Sequence, residues 1–184
     1  MRLASFMESH GRAITLAAGT HLFRQGDPEP PCFLLQEGLL KAYYLTAEGK
    51  DFIKSFFMEG AVVGSLRSGF EAIPCPYSVV ALEPCSLIAL PLAELRRATT
   101  NDLELANELI DFLVTLAIKK ERREHDFLIL SPAENYRQLQ RDMPRLVERI
   151  TQNDIAKYLG ITPVALSRIR RRRARSTSPG HGRK

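Results

Sequence analysis

The hydrophobic period of this chain changes once, near residue 100, and that change constrains the fold more than any other feature. Residues 12–95 carry eight short apolar stretches: AITL, HLF, CFLL, LLKAYYL, FIKSFF, VVG, YSVVAL and SLIAL. Between them stand AAG, RQGDPEP, QEG, TAEGK, MEG and EP. Turn-forming Gly, Pro and Asp thus recur about every 8–12 residues, the spacing of an all-β sandwich or barrel. Residues 101–128 then take the period of a helix, with Asn101 and Glu104 as a capping pair at its start. Leu103, Ala106, Ile110, Leu113 and Ala117 step by three and four, the seam of a coiled coil. Leu105, Leu109, Phe112 and Leu116 form a second stripe beside it. One face can pack on the β domain while the other meets a second copy; the alternative is one broad stripe buried within a monomer. A helix over 101–128 is about 42 Å long, which in so small a chain favours the partner.

The bulk numbers narrow the class. A chain of 184 residues fits one large domain or two small ones. No apolar run approaches the roughly 20 residues of a membrane helix, so no membrane partner is expected. The opening MRLASFMESHGR has no uninterrupted apolar segment and does not read as a signal peptide. A cytoplasmic protein is expected. Cys32, Cys75 and Cys85 are an odd number without CxxC spacing. They argue against a disulfide framework, a zinc site or a four-cysteine iron–sulfur site, and read as buried reduced thiols or a redox-sensing thiol. His10, His21, His125 and His181 are scattered, with no HxH or HxxxH pair. No metal site, Ser-His-Asp order, P-loop or GxGxxG is visible. The chain does not read as an enzyme, and no cofactor is implied.

Charge is unevenly placed. Residues 168–184 hold eight of the 26 Lys and Arg and no acidic residue, leaving 18 basic and 21 acidic residues before them. A mildly acidic body thus carries a strongly basic end, which suits a polyanion or is a solvated tail. The segment before that end decides between these. Ser131, Pro132 and Glu134 form a strong helix start, and the stretch from there to Ile150 reads as one or two short helices, broken at Met143-Pro144. Thr151 and Asp154 open a helix, TQNDIAKYL, which Gly160 can end through a left-handed backbone. Thr162 caps the next helix and Pro163 starts it. Helix, tight turn, helix is the unit whose second helix enters the DNA major groove. At 100° per residue Ala165, Leu166 and Ile169 share a side that can pack on Ile155, Ala156 and Leu159. Pro163, Val164, Ser167, Arg168 and Arg171 fall opposite. Arg168 can grip a guanine edge with two hydrogen bonds, Ser167 can donate to a base or phosphate, and Val164 offers apolar contact. Arg170, Arg172 and Arg173 suit phosphates. The candidate DNA-binding set is Thr162, Pro163, Val164, Ser167, Arg168, Arg170, Arg171 and Arg172.

Residues 150–172, ITQNDIAKYLGITPVALSRIRRR, closely resemble the helix-turn-helix of Crp/Fnr-superfamily transcription regulators. Residues 37–65 (EGLLKAYYLTAEGKDFIKSFFMEGAVVGS) and 76–91 (PYSVVALEPCSLIALP) resemble that family's cyclic-nucleotide-binding β-roll. Residues 130–150 resemble its hinge and first DNA-domain helices. The resemblance implies an α+β chain: a β-roll of jelly-roll type over 1–98, a long dimerisation helix over 99–130, and a helix-turn-helix domain over 131–173. The family's β-hairpin wing has no counterpart in ARSTSPGHGRK, so 174–184 is expected to be a disordered basic tail. The implied partners are double-stranded DNA and a second copy of the chain through 101–128, with RNA polymerase a further candidate. The operator would be palindromic, with half-sites about 34 Å apart.

Family members that bind cyclic AMP use a Gly-Glu-Leu segment and an Arg followed by a small hydroxyl residue. Here the first reads Gly64-Ser65-Leu66 and the second aligns with Pro76-Tyr77-Ser78, without the Glu or the Arg. The base-facing position of the long helix falls near Lys119-Lys120, where Thr or Ser is usual. The candidate effector pocket is Gly64, Ser65, Leu66, Arg67, Tyr77, Ser78 and Lys119, with Arg67 a candidate substitute cation and the effector unknown. The pocket is degenerate for cyclic AMP. Two other readings stand beside it: a cyclic-nucleotide-responsive regulator with a non-standard phosphate site, and a ligand-sensing regulatory subunit acting through protein contacts.

Overall fold

The computed structural model describes residues 2–177, with side chains through Arg172. The chain forms two compact units, residues 1–121 and 122–184. No helix among the described residues is long and apolar enough to cross a membrane.

The first unit opens with helix α1 (Arg2–His10) and continues with strands β1 (Arg12–Leu16), β2 (His21–Phe23), β3 (Cys32–Glu37), β4 (Leu40–Leu45), β5 (Asp51–Phe57) and β6 (Val62–Val63). Helix α2 (Leu66–Glu71), strands β7 (Ser78–Ala81) and β8 (Cys85–Leu90), and helices α3 (Leu92–Asn101) and α4 (Leu103–Ile129) come next. Each of the eight apolar stretches is therefore a strand. They form two four-stranded sheets, ordered β1-β8-β3-β6 and β2-β7-β4-β5, with every pairing antiparallel. This is the double-sheet roll the resemblance implies. The turn from β3 to β4 needs glycine: a Cβ on Gly38, at φ +101°, would stand 2.5 Å from the Pro84 carbonyl oxygen.

The continuous apolar run of β8 reflects burial on both faces. Cys85 and Leu87 point between the sheets, with Phe33, Leu35, Leu40, Val79 and Tyr77. Ile88 and Leu90 point outward with Leu34, against Leu3 and Met7 of α1, Leu95 of α3 and Leu105 of α4. A sheet with two apolar faces requires helices on its outside, and α1 and α3 supply part of that cover. Neither helix is legible in the sequence, because each is short and its apolar residues are few.

The long helix starts later than its sequence suggests. Asn101 ends α3, and Asp102 is the extended residue before α4 (φ −131°, ψ 97°). Its carboxylate accepts from the Leu105 N–H at 3.0 Å, so Asp102 is the cap and Asn101 is not. Glu104 pairs with Arg2 instead of closing a capping box. Leu95 and Leu105 both bury on the outer sheet face, and that packing fixes where the chain breaks between them. The apolar seam also shifts. Leu103 and Ile110 are exposed as expected, Leu113 is half-buried, and Val114 and Ile118 continue the exposed stripe. Leu105, Leu109 and Phe112 of the second stripe pack on the roll.

The second unit holds the end of α4, then α5 (Pro132–Asp142), α6 (Pro144–Arg149), α7 (Gln152–Tyr158) and α8 (Pro163–Thr177). Ser131 and Glu134 form the capping box, and the chain breaks at Met143-Pro144. The core is Tyr136, Leu139, Leu146, Ile150, Ile155, Ala156, Leu159 and Leu166. The last turns of α4 are built into it: Arg122 pairs with Asp142 at 2.5 Å, and the Gln138 amide donates to Asp126 at 2.9 Å. The tail expected from 174 is helical through Thr177, a correction for its first four residues. Arg and Ala are good helix formers, so RRRRAR (170–175) extends the helix instead of ending it. Residues 178–184 lie outside the described residues, and within the described ones no strand comes after α8.

Candidate nucleic-acid interface and effector cavity

The turn between α7 and α8 is closed by backbone bonds that the sequence dictates. Thr151 Oγ1 accepts from the Asp154 N–H at 3.0 Å and starts α7. At its end Gly160, at φ +69°, donates to the Lys157 carbonyl at 3.2 Å, and Ile161 donates to Ala156 at 3.0 Å. Those two bonds are a Schellman motif, which needs a left-handed residue at Gly160. The Phe127 ring of α4 lies so close that a Cβ on Gly160 would sit 3.0 Å from it. Arg123 lies over the Tyr158 ring, 3.8 Å from its centroid, and donates to the Tyr158 carbonyl at 3.2 Å. Sequence reasoning misses both Phe127 and Arg123, because nothing local ties α4 to this turn.

Helix α8 starts where expected: Thr162 Oγ1 accepts from the Ala165 N–H at 3.2 Å. Leu166 is 1% exposed and Ala165 and Ile169 are half-buried. Ile155, Ala156 and Leu159 of α7 are buried in turn. Thr162, Pro163, Val164, Ser167, Arg168, Arg170, Arg171 and Arg172 are all exposed. The described part of α8 thus offers solvent one polar, basic face with a single apolar contributor, Val164.

The roll holds a cavity of about 350 Å³. Gly64, Ser65, Leu66, Arg67 and Tyr77 line it; Ser78 and Lys119 do not. Ser78 is buried and its Oγ accepts from the Gln25 N–H at 2.9 Å. Lys119 gives way to Lys120, one residue and therefore about 100° further round α4. Lys54 and Tyr44 also line the cavity, from β5 and β4, as do Leu113, Leu116 and Ala117 from α4. A lysine inside the apolar strand FIKSFF was the available signal for Lys54.

The polar groups of the cassette segments are already engaged. Ser65 caps α2, its Oγ accepting from the Ser68 N–H at 3.2 Å. The Tyr77 phenol donates to the Gly64 carbonyl at 2.6 Å, and burial, with Cys75 nearby, holds its pKa well above the usual range. Arg67 lines the cavity with its guanidinium on Glu71 at 2.9 Å. Burial pushes the Cys32 thiol up to about 11 and raises Cys75, the opposite of a reactive thiolate. Among the described residues no group of His, Cys, Asp and Glu side chains is placed to hold a metal ion.

Residues 13–102 match the family described as the cyclic nucleotide-binding domain. The chain is 29% identical over 171 residues to the transcriptional activator protein anr of Pseudomonas aeruginosa, covering 86% of this chain and 68% of that protein. It is 26% identical over 168 residues to electron transport regulator A of Shewanella oneidensis, covering 82% and 64%. The chain therefore spans about two thirds of the length of these relatives. The solved structure of FixK2 from Bradyrhizobium japonicum superposes with a TM-score of 0.77 at 18% identity, covering 94% of this chain and 89% of that one. The likeness runs through the roll, the long helix and the helix-turn-helix in one order, so along its length the chain is similar to proteins described as transcription regulators.

Proposed function

We propose that this protein is a cytoplasmic, sequence-specific DNA-binding transcription regulator that works as a homodimer on a palindromic operator. The observation that carries the reading is the split of α8. Leu166 is buried, while Val164, Ser167, Arg168 and Arg171 stand exposed together on the other side. A structural helix hairpin has no need of such a face. Dimerisation is supported by the exposed stripe Leu103, Ile110, Val114 and Ile118, which water would otherwise cover. In the dimer each α8 enters a major groove, and the two half-sites lie about one helical turn apart. RNA polymerase as a further partner belongs to the same proposal.

Selection from random duplex DNA tests this reading. Enriched sequences should be palindromic, with half-site centres about 10–10.5 base pairs or a multiple apart. Recovery of unrelated sequences would sink it and favour a subunit acting through protein contacts. Sedimentation should give a dimer, with Val114→Glu shifting the equilibrium toward monomer.

The cavity is unsuited to cyclic AMP in the usual way, since Ser65 and Tyr77 stand where a ribose acceptor and a phosphate cation would be needed. A second reading, a cyclic-nucleotide response through a non-standard phosphate site, is favoured by the family match over 13–102. Calorimetry with cyclic AMP and cyclic GMP decides between them, and micromolar binding of either supports the second.

A further inference from the structure

Helix α4 does not end where the second unit begins. It runs from Leu103 to Ile129, while the two units divide between Glu121 and Arg122. A continuous helix, and no loop, therefore crosses the boundary. We propose that Arg123 and Phe127 are positioning residues for DNA recognition, joining the last two turns of α4 to the turn before α8 so that α4 itself aims the recognition helix. The inference rests on the homodimeric regulator proposed above.

The contacts occupy two neighbouring faces of one helix. Arg123 and Phe127 are four residues apart and share a face. Arg123 lies over the Tyr158 ring, 3.8 Å from its centroid, and donates to the Tyr158 carbonyl at 3.2 Å. A flat guanidinium can stack and donate at once, which an ammonium cannot. Phe127 lies against Gly160, the residue with the left-handed backbone. Both contacts therefore fall within Tyr158–Gly160, where the chain turns from α7 toward α8. On the adjoining face Arg122 and Asp126 hold α5 through Asp142 and Gln138. A helix held by one contact can pivot on it. A helix held on two faces by two elements cannot.

The loop at Leu130-Ser131 is thus internal to the second unit, and the capping box of Ser131 and Glu134 closes it. The joint lies upstream, in α4. Lys119, Lys120, Glu121 and Arg122 are all exposed, so one turn of helix without a buried side chain connects the units. A helical turn resists bending through its backbone hydrogen bonds, and a glycine there weakens it. Aim should therefore depend on that turn and on the Arg123 and Phe127 contacts, and not on the loop.

The test is half-site spacing. Each added base pair shifts one half-site by about 3.4 Å and turns it by about 35° round the duplex. The full chain is titrated with its selected palindrome, the half-sites unchanged and the spacer altered one base pair at a time. The native chain should prefer one spacing. Arg123→Ala should reduce that preference by about three- to tenfold, the range of one cation–π contact, and Phe127→Ala by less. Both should keep the half-site sequence. Glu121→Gly, which loosens the joint and leaves the turn before α8 intact, should also reduce it, while Ser131→Ala should not. Without DNA, hydrogen exchange at the Gly160 and Ile161 amides should quicken in Arg123→Ala. An unchanged spacing preference or unchanged exchange in Arg123→Ala would overturn the proposal. So would equal weakening at every spacing, the mark of a merely structural role, or an equal loss of preference in Ser131→Ala, which would route the aim through the loop. The two readings fail separately. A native chain that selects no palindrome sinks the regulator, whereas a palindrome bound with unaltered spacing preference by every variant sinks only the role of Arg123 and Phe127.

Discussion

Helix α8 and the cavity of the roll both present positive charge, and they do so in opposite surroundings. On α8 the guanidinium groups of Arg168, Arg170, Arg171 and Arg172 stand in water, while Lys54, half-buried on β5, lines a space walled by Leu113, Leu116 and Val62. Exposed charges are screened within about 10 Å at 0.1 M salt and act by their number, each releasing counterions from a phosphate backbone. Half-enclosed charges act by their place, because the surrounding protein screens them less. One region should therefore respond to salt and tolerate single losses, and the other should respond to a single substitution.

The largest expected effect tests whether the basic face depends on the core beneath it. Leu166→Ala should lower stability by about 2–5 kcal/mol in urea unfolding, since the side chain is 1% exposed. Arg168→Ala, two residues on and in water, should leave stability within about 0.5 kcal/mol. Its cost should appear instead as about 1–3 kcal/mol of lost discrimination at one base pair, read by titrating specific and random duplexes. Equal weakening of both duplexes would remove Arg168 as a base reader. Removing Arg171 and Arg172 together should weaken all sequences alike and flatten the salt dependence by roughly one unit per lost phosphate contact.

A smaller effect separates the cavity's wall from its charge. Ser65→Ala removes the cap of α2 and should cost about 0.5–2 kcal/mol in thermal unfolding of the roll. If it instead left stability unchanged, Ser65 would be available to a ligand and the argument against a nucleotide would weaken.

The smallest effect is a pH dependence at the start of α1. Glu108 accepts the Leu3 N–H at 2.8 Å and the Arg2 N–H at 2.9 Å, and these bonds hold its carboxyl below the usual range. A depressed folded pKa contributes stability above the unfolded value, near 4.5, and loses it as pH falls through the folded one. The melting temperatures of the native chain and Glu108→Gln should therefore differ at pH 6 and converge toward pH 3.

The helix-turn-helix was legible because its signals are local. Thr151, Gly160, Thr162 and Pro163 each fix their own few bonds, and the structure places all four where their chemistry requires. The eight strands were legible for the same reason, each short apolar stretch standing between its own turns. The cavity was legible only in part. Gly64 to Arg67 form one contiguous segment and all line it, but Lys54, Tyr44 and Leu113 arrive from β5, β4 and α4. Their convergence depends on sheet order and helix rotation, so Lys119 was expected where Lys120 stands.

What this sequence determined by itself is its elements and most of their ends: strands, caps, the turn before α8 and the basic run after it. Those depend on dihedral preferences and on hydrogen bonds between residues a few positions apart. What the tertiary structure decided is which faces meet. Packing on the outer sheet face placed the cap of α4 at Asp102. The meeting of two separate sheets brought Lys54 of β5 and the segment after β6 at Gly64 to one cavity. Arg123 and Phe127 came to lie on the turn they support. Burial and long-range contact are properties of the assembled core, and no local pattern in the chain carries them.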